Sequence, residues 1–242
     1  MAVVEPGPKQ VPLPLGIWSR PSLDNFIAGP NREAQAVVGG IVAGTGDRVI
    51  YLWGAEGTGK THLLEAGFLE VIRQNREATY FSCRTSDSIR MDLMDGLHEK
   101  DLICIDDIDV RAGNRDWEEA LFTLYNRAEA GGTGLLVAGR EGPAGANFSL
   151  PDLGSRLAAS LVLRLHPLDD DGRYAALKCR AREWGFTFPD SVVAFLLRRY
   201  QRDMHSLFAL LQQIDRETLV EKRPVTIPFI KDLLASRPEN VA

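Results

Sequence analysis

The chain is 242 residues long, 45% hydrophobic and 25% charged, enough for one large soluble domain or a domain with a small companion. Its net charge of −5 is uneven: residues 1–166 hold 16 Lys and Arg against 22 Asp and Glu (−6), and residues 167–242 hold 12 against 11 (+1). Neither part has the basic excess that tight binding to a phosphate backbone needs. No apolar run approaches the ~18 residues of a membrane span, and the start MAVVEPGPK lacks the apolar core of a signal peptide.

Residues 1–18 are rich in Pro and Gly and read as an extended tail. Within the tail lies QVPLPL, Gln10 to Leu15, which fits a solvated linker, a segment folded back on the body, or a docking peptide. From Ser19 the composition becomes globular. RVIYLW (Arg48–Trp53) is a β-rich run before a glycine-rich turn, and HLLEAGFLEVIRQ after it has helical spacing. ATYFSC (Ala78–Cys83), DLICID (Asp101–Asp106) and GLLVAG (Gly134–Gly139) read as further buried strands, and SLVLRL (Ser160–Leu165) as a last short one. WEEALFTLYNRAEA (Trp117–Ala130) sets Trp117, Leu121, Leu124 and Ala128 on one helical stripe.

Strand and helix alternate as far as about residue 166, which predicts a parallel sheet covered on both faces over residues 19–166. Beyond HPLDDDG the periodicity is helical only, through DDDGRYAALKCRAREWG, SVVAFLLRRY, DMHSLFALLQQIDRETLV and PVTIPFIKDLL. Residues 167–242 are therefore expected to form a small all-helical domain. Cys83, Cys104 and Cys179 lie far apart at no metal-ligand spacing and read as buried thiols of a cytoplasmic protein.

GAEGTGKT, Gly54 to Thr61, fits the phosphate-loop pattern G-x-x-x-x-G-K-[ST] at every defined position, after a strand and before a helix. Gly54, Gly57, Thr58 and Gly59 would turn backbone N–H groups onto a β-phosphate, with the helix dipole behind them. Lys60 would reach the β- and γ-oxygens, Thr61 would ligate Mg²⁺, and His62 follows at the start of the helix. In LICIDD, Asp106 ends a strand about 45 residues after Thr61, where it can hold the Mg²⁺ water shell. Asp107 beside it can orient or deprotonate an attacking water. The histidines, His205 included, form no cluster with acidic or thiol partners and read as surface or cap residues.

With these two motifs the chain resembles the AAA+ ATPases and, within them, the replication initiator DnaA and its Hda-type relatives, which inactivate DnaA. The resemblance covers about residues 10–237. It rests on SLDNFIAGPNREAQAVV, WEEALFTLYNR, LPDLGSRLAASLVLRLHPL, RDMHSLFALLQQIDR and TIPFIKDLL. It implies that backbone near Phe26, Ile27 and Gly29 borders the adenine. By position, Arg156 in GSRL matches the family's arginine finger and Arg202 in QRDM its second sensor arginine. Without the resemblance both read as surface arginines. The first sensor is usually polar, whereas the strand end here is Ala138, Gly139 and Arg140.

The resemblance also gives QVPLPL a use. Gln10, Leu13, Pro14 and Leu15 match the peptides by which replication proteins bind the DNA sliding clamp, a Gln followed by spaced apolar residues, with prolines keeping the peptide extended. The implied protein holds ADP (or ATP) with Mg²⁺ between its domains, hydrolyses slowly, docks on the clamp and presents Arg156 to ATP held by DnaA. Tight DNA binding is not expected, because DnaA continues into a DNA-binding domain where this chain stops. Homo-oligomers fit the family habit. The alternatives are an autonomous AAA+ ATPase, such as a helicase loader or a DnaA-like assembly factor, and an adaptor that keeps the fold as scaffold.

Overall fold

A computed structural model describes residues 20–84, 96–200, 203–221 and 223–235. Chain contacts divide these residues between two compact units, one over Arg20–Gly172 and a helical one from Arg173 onward.

The first unit is built on five strands: β1 (Val49–Trp53), β2 (Ala78–Ser82), β3 (Leu102–Asp106), β4 (Gly134–Gly139) and β5 (Leu161–Arg164). They form one parallel sheet in the order β2-β3-β4-β1-β5. The central strands read as unbroken apolar runs because both of their faces are covered. Alternate residues go to opposite layers. Val49, Tyr51, Ile103, Ile105, Leu135 and Val137 pack with Trp117, Leu121, Leu124 and Ala128 of α3 (Arg115–Gly131) and with Leu153 and Leu157 of α4 (Pro151–Ala159). Ile50, Leu52, Cys104, Leu136 and Ala138 pack with Val38 and Ile41 of α1 (Arg32–Val42) and with Leu63, Leu64 and Val71 of α2 (Lys60–Arg73). Each such side chain contributes about 1.5–3 kcal/mol by leaving water.

Two expectations about burial need correction. β2 is an edge strand paired to β3 alone, so its five residues are half-buried rather than buried. Cys83 and Cys104 are buried, but Cys179 is half-buried. Helices α1 and α4 were not legible as helices from spacing, since α4 is nine residues long with two buried positions.

The helical unit takes in most of α5 (Asp170–Glu183), with α6 (Asp190–Arg199), α7 (Met204–Glu221) and α8 (Ile227–Ala235). Its core gathers Leu177, Val193, Leu196, Leu207, Leu210, Ile214 and Ile230. Lys178 Nζ donates to the Phe188 carbonyl at 2.8 Å and to Asp190 Oδ1 at 2.7 Å, fastening α5 to the start of α6. Among the described residues no helix is long and apolar enough to cross a membrane.

Candidate nucleotide site

β1 sits between β4 and β5, and the chain leaving Trp53 turns through Gly54–Gly59 into α2. Two glycines are sterically required in this turn. A Cβ on Gly54 would strike the Leu165 carbonyl oxygen. Gly59 caps α2 at φ +97°, and a Cβ there would lie 2.7 Å from Phe26 Cε2. Phe26 is thus seated on the loop's last glycine, with the His62 ring 5.5 Å away and His62 Nε2 donating to the Ser22 carbonyl at 3.0 Å. Ile27, half-buried, follows in the same segment.

Lys60 is buried, and its Nζ donates to the Gly54 and Ala55 carbonyls at 2.7 and 2.9 Å. Burial lowers its pKa, while Asp106, Asp107 and Asp109 pull in the other direction. Thr58, also buried, donates through Oγ1 to the Ala55 carbonyl at 2.9 Å, tightening the loop.

The buried Asp106 carboxylate accepts from the Thr61 side chain, from Tyr80 Oη at 3.2 Å and from the Asp107 backbone N–H at 2.9 Å. Burial pushes its pKa up, partly offset by the Thr61 hydrogen bond. Asp107 stands at φ +54° and opens the 3-10 turn Ile108–Arg111. Its Oδ2 accepts from Ser82 Oγ at 3.1 Å and Arg84 Nε at 3.3 Å, and its Oδ1 from Arg84 Nη2 at 3.1 Å. Burial alone would raise the Asp107 pKa, but the Arg84 and Ser82 hydrogen bonds, together with the Arg84 and Lys60 charges, outweigh it and hold the carboxyl below its usual range.

The fold thus joins the Gly54–Thr61 loop to Asp106, with Asp107 next to it. Arg156 is joined to this cluster by no hydrogen bond among the described residues. It lies on α4, about half exposed, with Nη1 3.4 Å from Glu129 Oε2, while its backbone carbonyl accepts from Tyr125 Oη at 3.3 Å. Arg202 and the tail residues Gln10, Leu13, Pro14 and Leu15 lie outside the described residues.

Sequence reading missed Ser82, Arg84 and Glu118. Arg84 meets Asp107 because β2 runs beside β3 with Ser82 opposite Asp106, a register no local pattern reveals. Glu118 is fully buried and accepts from the backbone N–H groups of Gly113 (2.7 Å), Ser149 (3.1 Å) and Leu150 (2.6 Å). It fixes the turn into α4, and hence the base of Arg156. Glu118→Ala leaves these donors without their acceptor and should cost roughly 2 kcal/mol of stability, read as a lower denaturant midpoint. An unchanged midpoint would show that water replaces the carboxylate.

Mg²⁺ takes hard oxygen donors, and the linked Thr61 hydroxyl and Asp106 carboxylate fit that requirement. Among the described residues no group of three or more His, Cys, Asp or Glu is arranged to hold a metal by itself.

Comparison with known proteins gives the family and the fold. Residues 18–164 match the family described as the bacterial DnaA ATPase domain, and residues 170–234 match the family described as the Hda lid domain. Domain III of the replication initiation protein DnaA from Thermotoga maritima superposes with a TM-score of 0.79 at 20% identity, over 89% of this chain and 95% of that one. AMPPCP-bound DnaA from Aquifex aeolicus gives 0.69 at 23% identity, over 80% of this chain and 64% of that one. The Thermotoga maritima RuvB branch migration motor gives 0.66 at 18% identity, over 89% and 72%. At these identities the structural likeness establishes the fold.

Proposed function

The chain belongs to the bacterial DnaA ATPase-domain family and carries an Hda-type lid, and from that premise we propose that it regulates the initiation of chromosome replication by inactivating DnaA. In this reading the Gly54–Thr61 loop holds ADP, the tail docks on the sliding clamp, and Arg156 is offered to ATP on DnaA. The observation that carries the proposal is Arg156 itself. It stands half exposed on a short helix of a DnaA-type fold, its guanidinium beside Glu129 and hydrogen-bonded to no residue of the phosphate loop among the described residues, which suits a finger acting on a neighbour's nucleotide.

Several features of the site support a nucleotide held rather than turned over. The loop, Lys60 and Thr58 form a backbone-lined phosphate cradle. Thr61 and Asp106 would hold Mg²⁺, which when bound neutralises charge on the phosphates. Asp107, the residue suited to activate water, is engaged by Ser82 and Arg84. An autonomous ATPase is the competing reading, and steady-state turnover separates the two. A rate near ~1 s⁻¹ for the isolated protein, within the range of ordinary enzymes, would favour the motor.

The decisive assay is hydrolysis of DnaA-bound ATP with and without DNA-loaded clamp. Stimulation is expected only when the protein and clamp are both present. For the tail, Gln10→Ala should weaken clamp binding about tenfold, the loss of one to two side-chain hydrogen bonds. ADP affinity should be unchanged. Equal clamp affinity in surface-plasmon measurements would return the stretch to a linker.

A further inference from the structure

Glu56 and Arg140 connect the phosphate loop to the end of β4. Glu56 lies in the loop between Ala55, whose carbonyl accepts from Lys60, and Gly57. Arg140 follows Gly139, which is in register with Trp53 at the loop's start, so the sheet delivers the guanidinium to this end of the site. Arg140 Nη2 lies 3.1 Å from Glu56 Oε2, and the Arg140 backbone N–H is fixed by Asp109 Oδ1 at 3.0 Å. Burial is the main cause of the lowered Lys60 pKa, and the Arg140 charge acts on Lys60 in the same direction. The guanidinium therefore lies within electrostatic reach of the phosphate lysine. Arg84, the second guanidinium here, is paired with Asp107 at 3.1 Å. Of the three cations, Lys60 is the one that faces neutral carbonyls.

We infer that Glu56 and Arg140 form a bridge across the phosphate end of the loop that makes the site prefer a nucleoside diphosphate to a triphosphate. The inference rests on the nucleotide reading above and names the residues that set its selectivity. A β-phosphate is held by backbone N–H groups and Lys60, which the bridge leaves free to act. A further phosphate, which Lys60 can also reach, would extend toward the Glu56 carboxylate and a guanidinium already neutralised. To contact that phosphate, Arg140 must release Glu56 and leave a carboxylate beside a phosphate oxygen. Both side chains face solvent, so screening limits the discrimination to roughly tenfold.

The test is calorimetric titration, in Mg²⁺, of wild type, Glu56→Gln and Glu56→Gln/Arg140→Ala with ADP and with AMPPCP. Wild type should bind ADP more tightly. Glu56→Gln should bind AMPPCP roughly tenfold more tightly than wild type does, while its ADP affinity moves less than about twofold. The double variant should lose that gain, because the freed Arg140 is what meets the additional phosphate. Equal gains for both nucleotides, a gain that survives in the double variant, or a wild type preferring AMPPCP would overturn the bridge and leave the nucleotide site standing. A wild type that binds neither ligand overturns the nucleotide reading and this inference with it.

Discussion

Arg156→Ala is expected to reduce stimulated hydrolysis of DnaA-bound ATP to the rate of DnaA alone. An arginine finger contributes roughly 10³–10⁵ in rate, about 4–7 kcal/mol at the transition state. On α4, Leu153 and Leu157 are buried in the sheet's helical layer, while Arg156 beside them keeps about half its side chain in solvent. Its partner Glu129 is equally exposed and 3.4 Å away. Such a pair is worth about 0–1 kcal/mol, so exchanging Glu129 for a phosphate costs little. The pairing holds the guanidinium ready without locking it.

The same exposure makes the variant clean. Truncating a half-exposed arginine on a surface pair should change folding stability within about 0.5 kcal/mol, and ADP binding should persist. Arg156→Lys keeps the charge but loses the planar two-pronged donor, so it should restore only a small part of the stimulation. Glu129→Ala should leave stimulation intact. Undiminished stimulation by Arg156→Ala would remove the finger from the proposal, whatever the family match.

What could be read in advance was what is local in the chain. The phosphate loop requires a strand, a glycine turn and a helix start in succession, so GAEGTGKT between VIYLW and HLLEAGFLE gives its own context. The central strands were legible because a sheet covered on both faces asks for apolar side chains at every position, as ICI and LLV supply. The edge strand β2 also read as a buried strand, since Ala78–Ser82 carries Thr79, Tyr80 and Phe81, which favour strands, but half-burial follows from strand order, which residue pattern does not encode. Arg84 was invisible as a site residue, and Arg140, legible as the residue at the strand end, showed no sign of its partner Glu56, for that reason. Each acquires its partner only when parallel strands place Ser82 opposite Asp106 and Gly139 opposite Trp53. Glu118 looked like one more charge in WEEALF, and only the return of Ser149 and Leu150 makes it a buried acceptor.

Arg84→Ala is expected to raise the protein's own ATP turnover by about 10–100-fold, part of the 10²–10⁴ that a positioned general base supplies. In the wild type both Asp107 oxygens are engaged by Arg84, with Ser82 adding a third hydrogen bond. Burial pushes the carboxyl pKa up, and the Arg84 and Ser82 hydrogen bonds, with the Arg84 and Lys60 charges, together more than reverse it. A carboxylate held below its usual range is a weaker proton acceptor, and its lone pairs point at the guanidinium rather than at water. Removing Arg84 frees one oxygen entirely and lets the pKa rise. Turnover that needs ionised Asp107 falls as pH drops through the Asp107 pKa, so the acid limb of the variant's rate profile should lie at higher pH than that of the wild type. Asp107→Asn in the Arg84→Ala background should abolish the gain, tying it to that carboxylate. Unchanged turnover in Arg84→Ala would mean that something other than this pairing keeps hydrolysis slow, with Ala138 and Gly139 at the end of β4, where AAA+ relatives usually carry a polar sensor, as the next positions to vary.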